Sequence, residues 1–364
     1  MNRATSLYLD VVRPVAALVV LLSHVGDNLS FLAPAGVQAV DVFFVLSGFV
    51  IAHVSGSRER DFRVYFISRA ARIYSVAIPA LILTAILDSI GLRENAAAYA
   101  GHPFQPLAPG VLTRCVFFIN EQWTTHRFPG SNSPYWSLGF EVWYYVAFGV
   151  WIFVPRPWRW LAIAGVLVFI GPKVALLFPL WLMGVGVYRI CNDPLSIRPS
   201  AGWVLFAAPL LILVMYQFLP HAPMQPFINI IPDFSRFLSL GQDYLVGILF
   251  SAHLIGFTVV SAKLSHCLEN HAQTIRWIAG ATFSVYLAHL PIMTFLVALS
   301  PWPNSSPWMV ALRIAITILA CLAFAEVSER RKDAWRRLIT RGILTLEKPL
   351  LYVVKTFRTV SLAI

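Results

Sequence analysis

The most regular feature of the chain is a series of long apolar segments separated by short polar ones. A helix needs about 20 mostly apolar residues to cross a bilayer. By this measure the sequence predicts ten transmembrane helices, near residues 12–32, 37–55, 73–91, 135–154, 158–172, 174–190, 202–219, 243–262, 278–299 and 308–327. Gly171-Pro172-Lys173, between the fifth and sixth segments, fits either a tight turn or a kink in one long span.

Composition supports a membrane protein of the all-α polytopic class. Hydrophobic residues make up 58% of the 364 residues and charged residues 12%, whereas an average globular domain has about half and about a quarter. No soluble fold of this size buries so much apolar surface. The same composition excludes intrinsic disorder and small disulfide-rich scaffolds.

The net charge of +11 reflects membrane orientation and does not indicate a nucleic-acid partner. With ten spans and a cytoplasmic N-terminus, 22 Lys and Arg residues fall on the cytoplasmic side and 5 on the outer side. This asymmetry is what the positive-inside rule predicts. We therefore expect both termini in the cytoplasm. The four cysteines have neither CxxC nor metal-ligand spacing, so no metal site is predicted.

Three segments outside the spans have a distinct composition. The outer segments 92–134 and 220–242 are rich in Pro, Asn and aromatic residues, which predicts structured loops or a lid over the outer mouth. The chain is divided into a membrane domain over residues 8–335 and a basic tail over 336–364. Basic and apolar residues alternate in the tail, which favours an interfacial helix on anionic lipid.

Ionisable side chains inside spans are costly, so each is a candidate for function. His24 lies within the predicted first span, and Arg13 precedes it by eleven residues. Eleven residues are close to three full helical turns, so both share a face and lie about 16 Å apart along the axis. This arrangement fits one polar pathway with different tasks at its two ends. A hydrogen bond between helices explains a single His equally well.

Asp41, Arg69 and Arg72 are the next candidates along the chain. Asp41 heads the predicted second span, and a carboxylate there needs a donor, such as a His on the preceding span. An imidazole that donates to Asp41 from one nitrogen keeps the other as a proton acceptor, as a general base requires. A position at the outer interface explains Asp41 equally well. Arg69 and Arg72 share a helix face and are suited to a phosphorylated ligand.

The fourth and ninth predicted spans carry the remaining candidates. Ser137 and Glu141 are four residues apart and share a face, and Glu141 is hard to explain as packing. Tyr286 and His289 are three residues apart, with structural and functional interpretations equally weighted. Glu329 follows the tenth span. His253, in the eighth span, has no evident partner in the sequence and is interpreted as structural.

These residues occur in an order that resembles the acyltransferase-3 family of bacterial integral-membrane O-acyltransferases. The motifs are Asp10-x-x-Arg13, His24, Val40-Asp-Val-Phe-Phe-Val-Leu-Ser-Gly-Phe, Arg69-x-x-Arg72, Trp136-Ser-Leu-x-x-Glu141 and Ser284-x-Tyr-Leu-x-His289. The resemblance covers residues 8–335. The sequence departs from the family pattern at two places. Phe140 replaces the first Glu of a common Glu-Glu pair, and Glu329-Arg-Arg replaces Glu-Lys-Pro.

The resemblance implies an acyltransferase that moves groups other than aminoacyl groups. It implies transfer of an acyl group, usually acetyl from acetyl-CoA, to a sugar hydroxyl of a surface or exported glycan, with no bound cofactor. The protein would lie in the bacterial inner membrane, with acyl-CoA, a saccharide, the lipid bilayer and a glycan export or polymerisation complex as partners.

The resemblance also implies roles for individual residues. His24 would be the catalytic histidine, Arg13 its motif partner on the donor side, and Glu141 the acidic residue of the fourth span. Arg69 and Arg72 would bind the acyl donor. Asp41 is placed with the catalytic residues as the partner of His24, and Ser137, Tyr286, His289 and Glu329 are candidate supporting residues.

Two questions stay open at the level of sequence. His24 can act as a general base on the sugar hydroxyl or carry the acyl group covalently. A glycan exporter without acyl-transfer chemistry is the alternative function, because transporters also place His, Asp and Arg within spans. Against that alternative, the chain shows no inverted repeat.

Overall fold

A computed structural model describes residues 1–57, 59, 61–100, 103–192, 197–217, 240–300 and 306–345. Within these ranges the chain is helical and forms no β-strand. The α-helices are α1 (Arg3–Ser23), α2 (Ala33–Ser57), α3 (Phe62–Glu94), α4 (Ala97–Ala100), α5 (Pro109–Val116), α6 (Leu138–Phe153), α7 (Arg156–Asn192), α8 (Pro199–Tyr216), α9 (Leu240–Asn270), α10 (Ala272–Ala279), α11 (Thr282–Leu299) and α12 (Pro307–Val327). A further helix covers residues 332–345.

Eight helices in the described ranges are long and apolar enough to cross a membrane, judged by length and composition. They are α1, α2, α3, α7, α8, α9, α11 and α12, the last continuing towards residue 345. The predicted fourth span corresponds to α6, which has 16 residues. The predicted fifth and sixth spans both fall within α7. The protein is therefore an all-α polytopic membrane protein.

The chain turns back on itself in the middle of α7. In the first half of α7, Phe169 packs on Trp143 of α6 and Trp160 packs on Trp151, with ring centroids 4.7 and 5.3 Å apart. This half therefore runs antiparallel to α6. In the second half, Tyr144 packs on Phe178 and Phe148 on Trp181, so that half runs parallel to α6. The two halves are antiparallel, as expected for two spans joined by a tight turn.

Gly171 makes this turn possible. Its φ of +77° and ψ of 172° fall in a region that is essentially restricted to glycine. A Cβ at this position would lie 2.8 Å from the backbone of Trp123, whose amide donates to the carbonyl of Ile170. The turn is thus fixed both by its own backbone and by the outer loop that packs on it.

Gly171→Ala is therefore expected to destabilise the protein by about 1–3 kcal/mol. The added Cβ forces an unfavourable backbone conformation and pushes against Trp123. Gly165→Ala is the matched control, because nothing lies within 4 Å of its Cβ position in the same helix. The control is expected to be neutral or stabilising, since Ala favours helix. Thermal unfolding of the two variants in detergent tests this, and equal melting temperatures would contradict it.

Helices α2 and α7 cross at very short range through two glycines. A Cβ at Gly48 would overlap the carbonyl oxygen of Trp181, and a Cβ at Gly184 would overlap that of Val45. Small residues allow membrane helices to approach closely and to pack by van der Waals contact. This crossing places the middle of α2 beside Trp181.

The predicted bounds of the first span, 12–32, are wrong at both ends. Helix α1 begins at Arg3, because Asn2 caps it by accepting a 2.7 Å hydrogen bond from the Thr5 amide. It ends at Ser23, and Gly26 follows with a φ of +93°. His24 is consequently the residue that caps the end of α1 and does not lie inside the span.

Helix α2 also begins earlier than predicted, at Ala33. Asp41 therefore lies two turns inside the helix and not at its head, and its side chain is buried.

The outer segment between α3 and α6 is structured, as predicted, over its described part. Asp88 of α3 accepts hydrogen bonds from the amide and the hydroxyl of Ser131, at 2.8 and 2.7 Å. The amide side chain of Asn132 donates to the Leu287 carbonyl of α11 at 2.8 Å. These bonds fix the segment against two long helices. The second predicted outer loop, 220–242, lies outside the described residues except for its last three positions.

The described part of the basic tail is helical. Its helix over 332–345 leaves Leu338 and Leu344 exposed, as expected of a helix at a membrane surface. Residues 346–364 of the predicted tail lie outside the described residues. Its contact with anionic lipid stays a prediction.

Candidate active site

A cavity of about 580 Å³ opens among α1, α2, α3, α6, α10, α11 and the start of the tail helix. Seven cationic side chains and four carboxylates line it, together with aromatic, aliphatic and hydroxyl groups. The cations are Arg13, Arg69, Arg72, Arg276, Arg330, Lys332 and Arg336; the carboxylates are Asp10, Glu141, Glu329 and Asp333. The excess of cations favours an anionic ligand.

Three of these cations are engaged in ion pairs. Arg13 bonds Asp10 at 3.1 Å, one turn earlier on α1. Arg69 pairs with Glu59, and both side chains are only 9% exposed. The Arg69 guanidinium also lies 5.0 Å from the ring centroid of Tyr65. Arg330 pairs with Glu326. These three charges are therefore already compensated within the protein.

The other four cations are not compensated in this way. Across the part of the chain that the structure describes, the side chains of Arg72, Arg276, Lys332 and Arg336 make neither a hydrogen bond nor an ion pair within 4 Å. Arg69 and Arg72 were predicted together as donor-binding residues. Both line the cavity, but Arg72 alone of the two has its guanidinium uncommitted.

Glu141 lies at the centre of a hydrogen-bond network in the wall of this cavity. The hydroxyl of Ser47 donates to Glu141 at 2.7 Å, and the hydroxyl of Tyr145 also donates to it. The indole of Trp181 donates to the Ser47 oxygen at 3.2 Å. The α2–α7 crossing and the one-turn spacing of Glu141 and Tyr145 on α6 bring these groups together. The carboxylate is thereby fixed in position.

Ser137 and Tyr286 join α11 to the start of α6. Their hydroxyl oxygens are 2.8 Å apart, and the Tyr286 hydroxyl donates to the Pro134 carbonyl at 3.1 Å. The ring of Phe43, from α2, packs edge-on against Tyr286 with centroids 5.7 Å apart. Tyr286 therefore bonds across helices.

His24 and His289 lie side by side at the end of α1. The Nε2 of His289 is 3.4 Å from the Nδ1 of His24, and the ring centroids are 5.1 Å apart. His289 is completely buried, and its Nδ1 donates to the Val285 carbonyl at 3.0 Å. The Nδ1 of His24 lies 2.8 Å from the Val20 carbonyl and so carries the hydrogen. In this tautomer the Nε2 of His24 holds the lone pair and is the basic nitrogen.

The start of α2 packs beside the end of α1. A Cβ at Gly36 would overlap the hydroxyl of Ser23, the neighbour of His24. Asp41 follows Gly36 by five residues on the same helix and is buried. The proximity of the two helices suits a contact between Asp41 and His24, and this pairing stays a prediction.

Tyr286 lies between the cavity and the histidine pair. It lines the cavity together with Ser137 and Phe43, and its ring centroid is 6.5 Å from that of His289. Thr282 lines the cavity one turn earlier on α11, and at 1.5 Å per residue His289 lies about 10 Å further along. The four uncommitted cations and Glu141 thus line the cavity itself, and Tyr286 separates the cavity from the histidine pair.

Glu329 has a structural role at the start of α11. Its carboxylate accepts hydrogen bonds from the amides of Phe283 and Ser284, each 3.0 Å long, and from the Ser284 hydroxyl at 3.2 Å. A carboxylate in this position satisfies amides at the helix N-terminus that have no partner within the helix. Glu329 therefore attaches the beginning of the tail to α11.

His253 lies away from the cavity and is structural, as the sequence suggested. Its ring is fully buried, its Nδ1 donates to the Phe206 carbonyl at 2.6 Å, and its Nε2 accepts from the Tyr8 hydroxyl. It therefore links α9 to α1 and α8.

Several residues of the site were missed from the sequence. They are Ser47, Tyr145, Trp181, Arg276, Lys332 and Arg336. Ser47 stands in the same motif as Asp41, but a single hydroxyl in an apolar helix carries little signal. Tyr145 and Trp181 resemble interfacial aromatics. The three cations occur in basic stretches that topology alone explains.

Several known proteins are similar to this chain in sequence. The sequence model of a family described as the acyltransferase domain matches residues 6–326. The chain is 23% identical over 362 residues to the peptidoglycan O-acetyltransferase OatA of Listeria monocytogenes, covering 87% of this chain and 54% of the relative. It is 29% identical over 167 residues to the exopolysaccharide production protein ExoZ of Rhizobium meliloti, covering 43% and 47%.

A third relative is an O-acetyl transferase of Shigella phage Sf6, which is 31% identical over 153 residues, or 39% of this chain and 44% of the relative. The chain spans about half the length of the curated relatives it matches. No solved structure matches it.

Proposed function

Since the chain belongs to the acyltransferase domain family over residues 6–326, we propose that it transfers an acetyl group from acetyl-CoA to a hydroxyl group of a saccharide. It acts in the inner membrane of a bacterial cell, on a glycan presented by an export or polymerisation complex. The relatives named for O-acetyl transfer to peptidoglycan and for exopolysaccharide production support a saccharide acceptor.

The observation that carries this proposal is the cation-lined cavity next to the His24–His289 pair. Acyl-CoA is a polyanion with a neutral thioester at the end of a long arm. Uncommitted Arg and Lys side chains bind phosphate groups through charge-assisted hydrogen bonds. Arg72 is buried deepest in the series and faces the Glu141 network. The thioester arm extends past Glu141 and Ser137 towards Tyr286 and the histidines.

The transfer itself uses the basic nitrogen of His24. The sugar hydroxyl attacks the thioester carbonyl carbon, its proton passes to Nε2 of His24, the C–S bond breaks and the thiolate leaves. The thiolate then takes that proton from Nε2 of His24, which gives the free thiol of coenzyme A and returns the imidazole to its neutral form. The Val20 carbonyl and His289 hold the imidazole in the tautomer with hydrogen on Nδ1, and Asp41 is a positioning residue beside it. A covalent route, in which Nε2 accepts the acetyl group first, uses the same nitrogen.

Labelled acetyl-CoA tests the proposed function directly. Inside-out membrane vesicles from cells expressing the protein are incubated with acetyl-labelled acetyl-CoA, and label is followed into the glycan fraction. Label that is released by mild base, and that is missing from vesicles of cells lacking the protein, is the expected result because an O-acetyl ester is base-labile. Equal label in both vesicle preparations would refute the proposal. Glycan that crosses the membrane without gaining ester label would instead support the exporter.

A further inference from the structure

We propose that the tail helix over residues 332–345 forms part of the donor site, with Lys332 and Arg336 binding the nucleotide phosphates of acyl-CoA at the cavity mouth. This inference rests on the proposed function, because it assigns phosphate ligands to the proposed donor. It gives the tail a role beyond contact with the bilayer surface.

Glu329 and Arg330, which lie just before the tail helix, fix its position. Glu329 accepts two amide hydrogen bonds at the start of α11. The guanidinium of Arg330 lies 4.4 Å from the ring centroid of Trp277 on α10, and it donates to the Trp277 carbonyl at 3.0 Å. The helix that starts directly afterwards is therefore held against α10 and α11, and its first two turns face the cavity.

Positive charge is concentrated on that face, and its cations form no ion pair among the described residues. Lys332 and Arg336 are four residues apart, so they lie on one side of the helix, and both line the cavity with Arg276 of α10. Within the described residues none of the three has an ion-pair partner. Asp333 and Asp10 are carboxylates near these cations, and over the whole lining of the cavity seven cations exceed four carboxylates by three. Exposed like charges repel each other, so an anionic ligand at this mouth lowers the electrostatic energy.

The ligand expected here is the phosphate-bearing end of the donor. Lys332, Arg336 and Arg276 are exposed, whereas Arg72 lies deeper in the same cavity and is partly buried. An exposed group of cations suits the part of the donor that stays hydrated. The neutral thioester arm occupies the part of the cavity lined by Phe43 and Tyr286. The tail thus favours a full nucleotide thioester over a thioester that lacks phosphate.

Two double variants of the same helix separate this role from a general effect of charge. K332Q/R336Q removes the two cations that line the cavity. R337Q/R341Q removes two cations of the same helix, four residues apart, that do not line it. Both variants change the net charge equally. Binding of coenzyme A and of pantetheine, which has no phosphate, is measured by calorimetry on full-length protein in neutral detergent. Transfer from acetyl-CoA is measured in the vesicle assay.

K332Q/R336Q is expected to weaken coenzyme A binding about tenfold, as the loss of about 1.4 kcal/mol in phosphate contacts implies. Pantetheine binding should stay unchanged, and R337Q/R341Q should match the wild type with both ligands. The wild-type affinity for coenzyme A should also fall as ionic strength rises.

Four results would overturn the inference while leaving the proposed function intact. The first three are wild-type binding by K332Q/R336Q, equal weakening by both double variants, and equal loss of coenzyme A and pantetheine binding. A further one is a defect of K332Q/R336Q that occurs only in vesicles with anionic lipid, which would assign these cations to the membrane surface. If the wild type neither binds coenzyme A nor transfers label from acetyl-CoA, the proposed function itself fails.

Discussion

Replacement of His24 by alanine is expected to abolish acetyl transfer while coenzyme A binding persists. Loss of a positioned general base costs about 10²–10⁴-fold in rate, and loss of a covalent carrier costs at least as much. Binding should survive because His24 caps the end of α1, while the cations that line the cavity lie on other turns and helices. The measurement is label in glycan from acetyl-labelled acetyl-CoA, together with calorimetric titration of coenzyme A.

The control is His266→Ala, which removes an exposed histidine of α9 that does not line the cavity. It should keep wild-type transfer. Transfer by His24→Ala within a few-fold of the wild type would remove His24 from the mechanism. The same experiment without acceptor distinguishes the two routes. Label that accumulates on wild-type protein but not on His24→Ala indicates a covalent intermediate, whereas its absence from both indicates general-base catalysis.

Glu59→Ala is expected to destabilise the fold by about 3–5 kcal/mol, the usual cost of removing one partner from a buried ion pair. Glu59 pairs with Arg69, and both side chains are 9% exposed. Without the carboxylate, the guanidinium is left buried beside Tyr65 without a counter-charge. The measurement is thermal or denaturant unfolding in detergent. The result also bears on the donor site, because Arg69 would lose the contact that holds it at the cavity wall.

Glu326→Ala serves as the matched control, since it breaks the ion pair with Arg330 in which Glu326 is 57% exposed. An exposed pair contributes only about 0–1 kcal/mol. A second variant, Glu59→Ala combined with Arg69→Leu, should recover much of the lost stability, because it leaves no buried charge unpaired. If Glu59→Ala unfolds no more readily than Glu326→Ala, the buried pair does not stabilise the fold as inferred.

The tight turn in α7 separates the part of the architecture that local sequence predicts from the part that depends on packing. Length and hydropathy predict the apolar segments, because the thickness of a bilayer fixes the number of residues that a span needs. Gly171-Pro172 marks the break, but two interpretations were left open. The aromatic contacts of Trp143 and Tyr144 with opposite halves of α7 decide between them. Those contacts depend on packing against α6.

The end of α1 shows a second limit of prediction from hydropathy. Hydropathy placed His24 inside a span. Helix α1 instead begins at Arg3, with Asn2 as its N-cap, and ends before His24. Apolar and polar residues are mixed over 24–32, so a hydropathy pattern does not locate the end of the helix. Capping groups and a glycine with positive φ define the ends of the helix.

By itself the sequence determined the all-α membrane class and predicted most of the polar residues of the candidate site, among them Glu141 and Arg72. It could do so because an ionisable group in an apolar helix is costly and therefore conspicuous. Only the tertiary structure decided the partners: Ser47 bonds Glu141 from 94 residues away, and His289 reaches His24 from 265 residues away. Helical periodicity assigns a side chain to a face of its own helix. Which helix covers that face, and hence which cations are compensated and which stay available to a ligand, depends on packing between distant segments.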